Sequence, residues 1–218
     1  MIFINFKTYP QSTGEKAVDL AEICQQVAEE TRVKIIIGLQ AADIYRVASK
    51  VKIPVFAQHF EPLEPGRNTG WTLVPALKQA GASGVFLNHS EHLYPPNFVE
   101  LKKAVKMAKD EGLETLVFSP DLERSKIIDQ FNPDYIALEE PSLVSGDTAM
   151  VKIPRLRKLT KKFSSVIKSF PLIGAGIKTK KDVVESLKLG VKGVGLASGF
   201  VKNDNPKTAL QSLASAFE

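Results

Sequence analysis

Short apolar runs alternate with amphipathic segments along the whole chain, and this alternation constrains the fold more than any other feature. Eight runs have the length of a fully buried parallel strand and are bounded by glycine, proline or polar residues. These runs are Ile2–Lys7, Val33–Leu39, Pro54–Gln58, Gly84–Asn88, Glu114–Ser119, Tyr135–Glu139, Pro171–Gly174 and Gly193–Ala197. Strands that alternate with helices in this way are typical of α/β proteins with a parallel sheet.

Helical patterns lie between the runs. Apolar residues recur at helical spacing in four segments, Gly14–Thr31, Asn97–Glu111, Thr179–Leu189 and Asp204–Phe217. Because no linker or change in composition interrupts the 218 residues, the pattern predicts one (β/α)8-barrel domain over residues 1–218. Such barrels typically have about 250 residues, so we expect short outer helices. The crossover Gln40–Ile53 is an example.

An open, doubly wound sheet is the structural alternative. That fold usually has a glycine-rich turn after its first strand, whereas here the first run continues into Lys7-Thr8-Tyr9-Pro10. The closed barrel is therefore preferred.

Composition excludes several classes of protein. The net charge of +5 is mild, and no basic run is interleaved with aromatic residues, so we expect no nucleic-acid partner. The one cysteine, Cys24, lies at helical spacing with Leu20 and Val27, which predicts a core residue and rules out an internal disulfide. No apolar run approaches the roughly 20 residues of a membrane span, and no leader precedes Ile2, so a cytoplasmic location without a membrane partner is expected.

In a (β/α)8 barrel the chemistry lies at the carboxyl ends of the strands, so the last residues of each run are the candidates. Strand alternation would put Asn5 and Lys7 on one face, and a buried lysine needs an anion, unless its side chain reaches solvent. After the fourth run, Ser90 could cap a short helical turn with His89 at its positive end, which would disfavour an imidazolium. A structural histidine is the alternative.

Two further strand ends carry functional signals. Glu139 follows apolar residues at the end of the sixth run, and burial would raise its pKa toward that of a general base. The alternative is a paired glutamate at the surface. The small residues of Gly174–Gly176 and Ala197–Gly199 would let backbone N–H groups approach an anion, and both loops lie where such barrels commonly hold phosphate. Two tight turns are the alternative.

Several stretches match one family together, in the family's order and over nearly the whole chain. They are Asn5-x-Lys7, Ala57-Gln58-His59, Asn68-Thr69-Gly70, Asn88-His89-Ser90-Glu91, Ala137-Leu138-Glu139, Gly174-Ala175-Gly176-Ile177 and Gly195-Leu196-Ala197-Ser198-Gly199. The set resembles triosephosphate isomerase, and most closely its short archaeal form. The resemblance implies an aldose–ketose isomerase that interconverts dihydroxyacetone phosphate and glyceraldehyde 3-phosphate through an enediolate.

The resemblance also implies roles for individual residues. Glu139 would be the base, His89 the neutral electrophile, and Lys7 the cation that stabilises both the phosphate and the enediolate. Asn5 would orient the substrate oxygens and Glu91 would support the catalytic centre. Gly176, Ala197 and Ser198 would bind the phosphate. No metal or organic cofactor is expected.

The long loop His59–Thr72 bears on assembly. In the family, the residue that matches Thr69 reaches into a neighbouring subunit, which implies a homodimer or homotetramer. A flexible surface loop is the alternative.

Four positions depart from the family pattern. Glu140 separates Glu139 from Pro141, Ser145 replaces a usual glycine, Leu93 stands where arginine is common, and Phe118 stands where cysteine is common. We assign the base to Glu139 because only that choice keeps residues 143–147 in register with the family loop. The competing hypotheses are a different sugar-phosphate barrel and a phosphate-binding barrel that has lost turnover.

Overall fold

Eight parallel strands close into a barrel in the computed structural model, which describes residues 1–144, 146 and 148–217. The strands are β1 Ile2–Asn5, β2 Ile35–Leu39, β3 Val55–Ala57, β4 Gly84–Leu87, β5 Glu114–Ser119, β6 Tyr135–Leu138, β7 Phe170–Ile173 and β8 Gly193–Leu196. Each strand pairs with the next, and β8 pairs with β1 through Val194 and Ile2. The predicted (β/α)8 barrel is confirmed. Six of the eight runs end one or two residues earlier than predicted.

Helices follow the strands and cover the outside of the barrel. They are α1 Glu15–Thr31, α2 Ala41–Ala48, α3 Val74–Gln79, α4 Val99–Asp110, α5 Leu122–Asp129, α6 Pro154–Val166, α7 Lys180–Lys188, α8 Ser198–Val201 and α9 Pro206–Ala214. The four predicted helices correspond to α1, α4, α7 and α9. The expected short outer helices include α2 with eight residues and α3 with six. None of the described helices is both long and apolar enough to cross a membrane.

Local capping explains where some helices begin. The Thr179 side chain accepts the backbone N–H of Asp182 while the Asp182 carboxylate accepts that of Thr179, a capping box that starts α7. Asp121 accepts the backbone N–H of Arg124 and starts α5 in a similar way. The cap of α7 fixes the helix start directly after residues 175–178, which line the cavity described below.

Aromatic side chains fill the inside of the barrel. Phe3 packs edge-on against Phe86 and Phe118, with ring centroids 5.9 and 5.7 Å apart. Glycines on the neighbouring strands make room for these rings, since a Cβ at Gly195 would lie 2.1 Å from the Phe3 ring. A second apolar layer, which includes the buried Cys24, lies between the strands and the helices. The barrel is therefore packed rather than hollow, and the residues beyond the strand ends form its rim.

Candidate active site

One cavity at the carboxyl ends of the strands brings most of the predicted residues together. Its lining includes Asn5, Lys7, His89 and Glu139, together with residues 175–178 and 195–199, which contain all of the predicted phosphate-loop residues except Gly174. Val144 and Gly146 also line it, while Ser145 and Asp147, on which the register argument partly depends, lie outside the described residues.

Lys7 reaches the cavity by a different route from the predicted strand alternation. β1 ends at Asn5, and Lys7 adopts a left-handed backbone conformation with φ 55°. The Asn5 side-chain oxygen holds this bend by accepting the Lys7 backbone N–H at 3.0 Å. Gln58 donates to that oxygen at 3.1 Å and to the Lys7 carbonyl at 3.0 Å. The bend therefore depends on the side chain of the residue that follows β3 as well as on β1.

The buried Lys7 ammonium is paired with an anion, as the burial of a charged group requires. Its side chain is only 8% exposed, and Nζ lies 2.7 Å from Oε1 of Glu91. Nζ also lies 3.4 Å from Nε2 of His89. The charge of Lys7 is thus balanced at the wall of the cavity by a carboxylate that is itself 55% exposed.

The hydrogen bonds of His89 fix its tautomer. Its Nδ1 accepts the backbone N–H of Glu91 at 3.1 Å, so the proton of a neutral ring is on Nε2. Nε2 lies 3.7 Å from Oε2 of Glu139, and the Phe118 ring packs edge-on at 4.8 Å from the imidazole. His89 therefore directs a donor toward the carboxylate side of the cavity.

The pKa of His89 is lowered to about 4 by burial and by the charge of Lys7, and Glu91 only partly opposes this. The short turn expected at Ser90 is present, but no helix extends it. A single turn forms there, closed by the His92 N–H and the His89 carbonyl at 2.8 Å, and the next helix begins at Val99. The imidazole is neutral as expected, but because of burial and a nearby cation rather than a helix dipole.

Glu139 provides the buried carboxylate of the cavity. Burial raises its pKa to about 7, and Lys7 opposes that rise. The carboxylate packs against Gly174 so closely that a Cβ there would lie 1.7 Å from Oε1. Glu140 turns away from the cavity, with Oε2 3.4 Å from Nη2 of Arg155. The two adjacent glutamates therefore do not share one site, and the cavity holds the carboxylate of Glu139.

The two phosphate loops offer backbone donors to the same cavity. α8 begins at Ser198, directly after Ala197, and the first N–H groups of a helix have no acceptor within it. Gly176 has φ 75°, and a Cβ there would lie 2.2 Å from the Thr148 carbonyl oxygen. Only glycine fits this position, which keeps the loop close to the cavity.

Two predicted residues, Glu91 and Thr69, do not line the cavity, and Glu91 is connected to it through Lys7. Thr69 is exposed in a loop whose ends are joined by two hydrogen bonds between Glu61 and Thr72, of 2.9 and 2.7 Å. Of the departures from the family pattern, Leu93 is 60% exposed and does not line the cavity, whereas Phe118 contacts His89.

Sequence reasoning missed the contacts of two residues that shape the site, since Gln58 had no assigned role and Gly174 was expected only in a phosphate loop. Gln58 ties β3 to Asn5 and Lys7, and Gly174 provides the surface against which Glu139 lies. Both follow a predicted strand core, so the rule that located the other residues at the strand ends could have found them.

One group of possible metal ligands also escaped the sequence analysis. Within the part of the chain that the structure describes, His59, Glu61 and His92 form the only such group of three, and it lies outside the catalytic cavity.

Fold and site together define a class of protein: a (β/α)8 barrel suited to acid–base chemistry on a small anion. Comparison with known proteins identifies the family within this class. The family model described as "Triosephosphate isomerase" matches residues 1–126. Triosephosphate isomerase of Methanobacterium bryantii is 42% identical over 219 residues, covering 99% of this chain and 96% of that protein. The Methanobrevibacter smithii protein of the same name is 37% identical, covering 99% and 97%.

A solved structure agrees on the fold. The crystal structure of triosephosphate isomerase from Bartonella henselae superimposes with a TM-score of 0.72 at 20% identity, covering 99% of this chain and 98% of that one. The sequence matches decide the family: this chain belongs to the triosephosphate isomerase family. The resemblance inferred from the sequence is confirmed.

Proposed function

We propose that this chain interconverts dihydroxyacetone phosphate and glyceraldehyde 3-phosphate in the cavity between Lys7, His89 and Glu139. One observation carries the proposal. The neutral imidazole and the buried carboxylate approach to 3.7 Å in the same cavity that the two phosphate loops line. Proton transfer between adjacent carbons needs one base and one electrophile arranged around the same few atoms.

Glu139 is the base in this reaction. Its ionised carboxylate removes a proton from the carbon next to the carbonyl, and the electron pair moves to the carbonyl oxygen to give an enediolate. A proton then passes from the hydroxyl oxygen of the enediolate to the former carbonyl oxygen. The same carboxyl returns its proton to the former carbonyl carbon as the first carbon becomes the new carbonyl, so no proton is gained or lost overall. A pKa of about 7 suits this exchange, because efficient general bases have pKa values near the working pH.

His89 and Lys7 stabilise the negative charge of the enediolate. His89 donates from Nε2, and Lys7 supplies a fixed positive charge 3.4 Å from that nitrogen. Donors held in place before the reaction need no reorganisation as charge develops. The substrate anion competes with Glu91 for the Lys7 ammonium, and the exposure of Glu91 lets its carboxylate move toward solvent. Asn5 orients the substrate oxygens from beside Lys7.

The phosphate binds at the opposite side of the cavity, on the backbone N–H groups around Gly176 and Ser198, with Ala197 at the start of α8. A helix start and a glycine loop are both suited to an anion. This arrangement limits the substrate to a short phosphorylated compound with its carbonyl near His89.

A coupled isomerase assay on two isosteric variants tests the base. We expect Glu139→Gln to lower kcat by about 10²–10⁴-fold, because the variant loses the general base. Glu140→Gln, the matched control, should change kcat little, since the Glu140 carboxylate faces Arg155. Near-normal turnover by Glu139→Gln would reject the assignment. Tight binding of 2-phosphoglycolate by the unmodified protein without turnover would favour the phosphate-binding alternative.

We also propose that residues 1–218 act as one catalytic domain and assemble as a homodimer or homotetramer through the loop His59–Thr72. The loop ends are joined, and Thr69 and the 58%-exposed Trp71 lie on its open surface. Sedimentation of Thr69→Arg should show weaker association than that of Gly66→Ala, a control position with open space around it. Association unchanged by Thr69→Arg would reject this interface. A cytoplasmic location stays a prediction.

A further inference from the structure

Three side chains with metal-binding atoms meet at the mouth of a second recess, beside the catalytic cavity. His59 and Glu61 lie at the base of the loop after β3, and His92 lies in the turn after β4. One ligand atom from each falls within 4.8 Å of the other two. The proposed reaction uses none of these three side chains.

Hydrogen bonds and ring contacts hold two of the three in place. Oε2 of Glu61 accepts the Thr72 backbone N–H at 2.7 Å, and Oε1 lies 3.8 Å from Nε2 of His59. The His59 ring lies between His92, stacked at 3.6 Å, and Tyr94 at 5.0 Å. Oε2 of Glu61 is thus held by a backbone N–H while Oε1 faces the His59 imidazole. Hydrogen bonds of this kind, made by the part of a ligand that does not contact the metal, orient metal ligands in proteins.

We propose that His59, Glu61 and His92 bind a Zn²⁺ ion. Two imidazole nitrogens and one carboxylate oxygen are a donor set that Zn²⁺ accepts, with a water in the fourth position. Ligand atoms at usual zinc distances are about 3.3–3.5 Å apart in a tetrahedron, slightly closer than the 3.8 Å between His59 and Glu61. His92 is exposed, so its side chain can rotate out of the stack to complete the set.

Zn²⁺ at this position would join two segments that are distant in sequence. It would link the base of the loop His59–Thr72 to the turn that carries His89 and Glu91. A ligand that binds only the folded chain stabilises it, so bound Zn²⁺ should raise the Tm. The ion would brace the site without taking part in proton transfer.

The test is isothermal titration calorimetry of untagged, chelator-stripped protein with ZnCl2, in parallel with MgCl2. We expect one Zn²⁺ per chain and little Mg²⁺ binding, because Mg²⁺ prefers oxygen ligands. His92→Gln and Glu61→Gln should each weaken Zn²⁺ binding at least about tenfold. Glu61→Gln can still accept the Thr72 N–H, so the loop should keep its shape.

The third histidine provides the matched control, since the chain has only three. His89→Gln should retain the Zn²⁺ affinity, and in NMR spectra Zn²⁺ should shift the His59 and His92 ring signals much more than those of His89. Absence of Zn²⁺ binding would overturn the site. So would equal loss of affinity in all three variants, or an affinity that His92→Gln leaves unchanged. None of these results bears on the isomerase assignment, which the coupled assay tests separately.

Discussion

Two lysine-centred clusters lie at opposite ends of the barrel and contain similar groups. At the amino ends of the strands, Lys34 Nζ lies 3.3 Å from Oε2 of Glu114 and 2.7 Å from the Tyr135 hydroxyl. At the carboxyl ends, Lys7 Nζ lies 2.7 Å from Oε1 of Glu91. The lysine–carboxylate distances are comparable, but Lys34 is 43% exposed and Lys7 only 8%.

The difference in burial accounts for the difference in chemistry. Burial lowers the pKa of Lys34, but its hydrogen bond with Tyr135 and the nearby Glu114 outweigh that effect and raise it, so the lysine stays charged. At the rim, burial moves the pKa of His89 to about 4 and that of Glu139 to about 7. An exposed ion pair is screened by water, whereas a dry cavity makes each charge affect its neighbours strongly. Only the buried cluster can perform acid–base chemistry near neutral pH.

Of the variants that compare the two ends, the one that removes Lys7 should have the largest effect. Lys7→Met should lower kcat/KM by about 10²–10³-fold, because the enediolate loses a preorganised positive charge. Lys34→Met should leave kcat/KM nearly unchanged. Steady-state kinetics on both variants checks this, with circular dichroism to confirm that each is folded. Comparable losses in the two variants would mean that the comparison between the ends is wrong.

The strand ends could be predicted from the sequence to within one or two residues, because they depend on the pattern of neighbouring residues in the chain. The eight runs mark the strands, and the rule that barrel chemistry lies at carboxyl ends then selects Asn5, Lys7, His89 and Glu139. The family resemblance added the roles of these residues. Nothing in that argument required knowing which residues touch across the barrel.

The parts that could not be predicted depend on contacts between distant segments. The bend at Lys7 needs Gln58 from another strand, and the neutral state of His89 comes from its surroundings rather than from a helix. Similarly, α3 and β4 lie between His59 and His92 in the chain, although the two rings stack in the structure. Spacing within one segment carries no signal for such contacts.

Two glycines, one at the carboxyl end and one at the amino end of the strands, test the difference between the two ends of the barrel. A Cβ at Gly174 would displace the Glu139 carboxylate, while one at Gly193 would lie 2.5 Å from the Met1 carbonyl oxygen at the other end of the barrel. We expect Gly174→Ala to lower kcat by about 10²-fold, the usual cost of misplacing a reacting group by about 1 Å. Gly193→Ala should lower the Tm but keep kcat. If the two variants lose kcat equally, Gly174 does not act by positioning Glu139.

The smallest predicted effect is on stability, and it depends on pH. The pKa of Glu139 rises from its ordinary 4.5 to about 7 on folding, so the folded chain binds more protons than the unfolded chain between those pH values. Stability contributed by this group therefore falls as the pH rises through that window, and the full penalty is present above pH 7. Glu139→Gln removes the penalty, so above that window its free energy of unfolding should exceed that of the unmodified chain by about 3 kcal/mol. Urea unfolding across the pH range measures the difference. The pH-dependent contribution of His89 to stability is present in both proteins and therefore largely cancels. If the free energy of unfolding changes with pH in the same way in Glu139→Gln and in the unmodified chain, folding does not raise the pKa of Glu139.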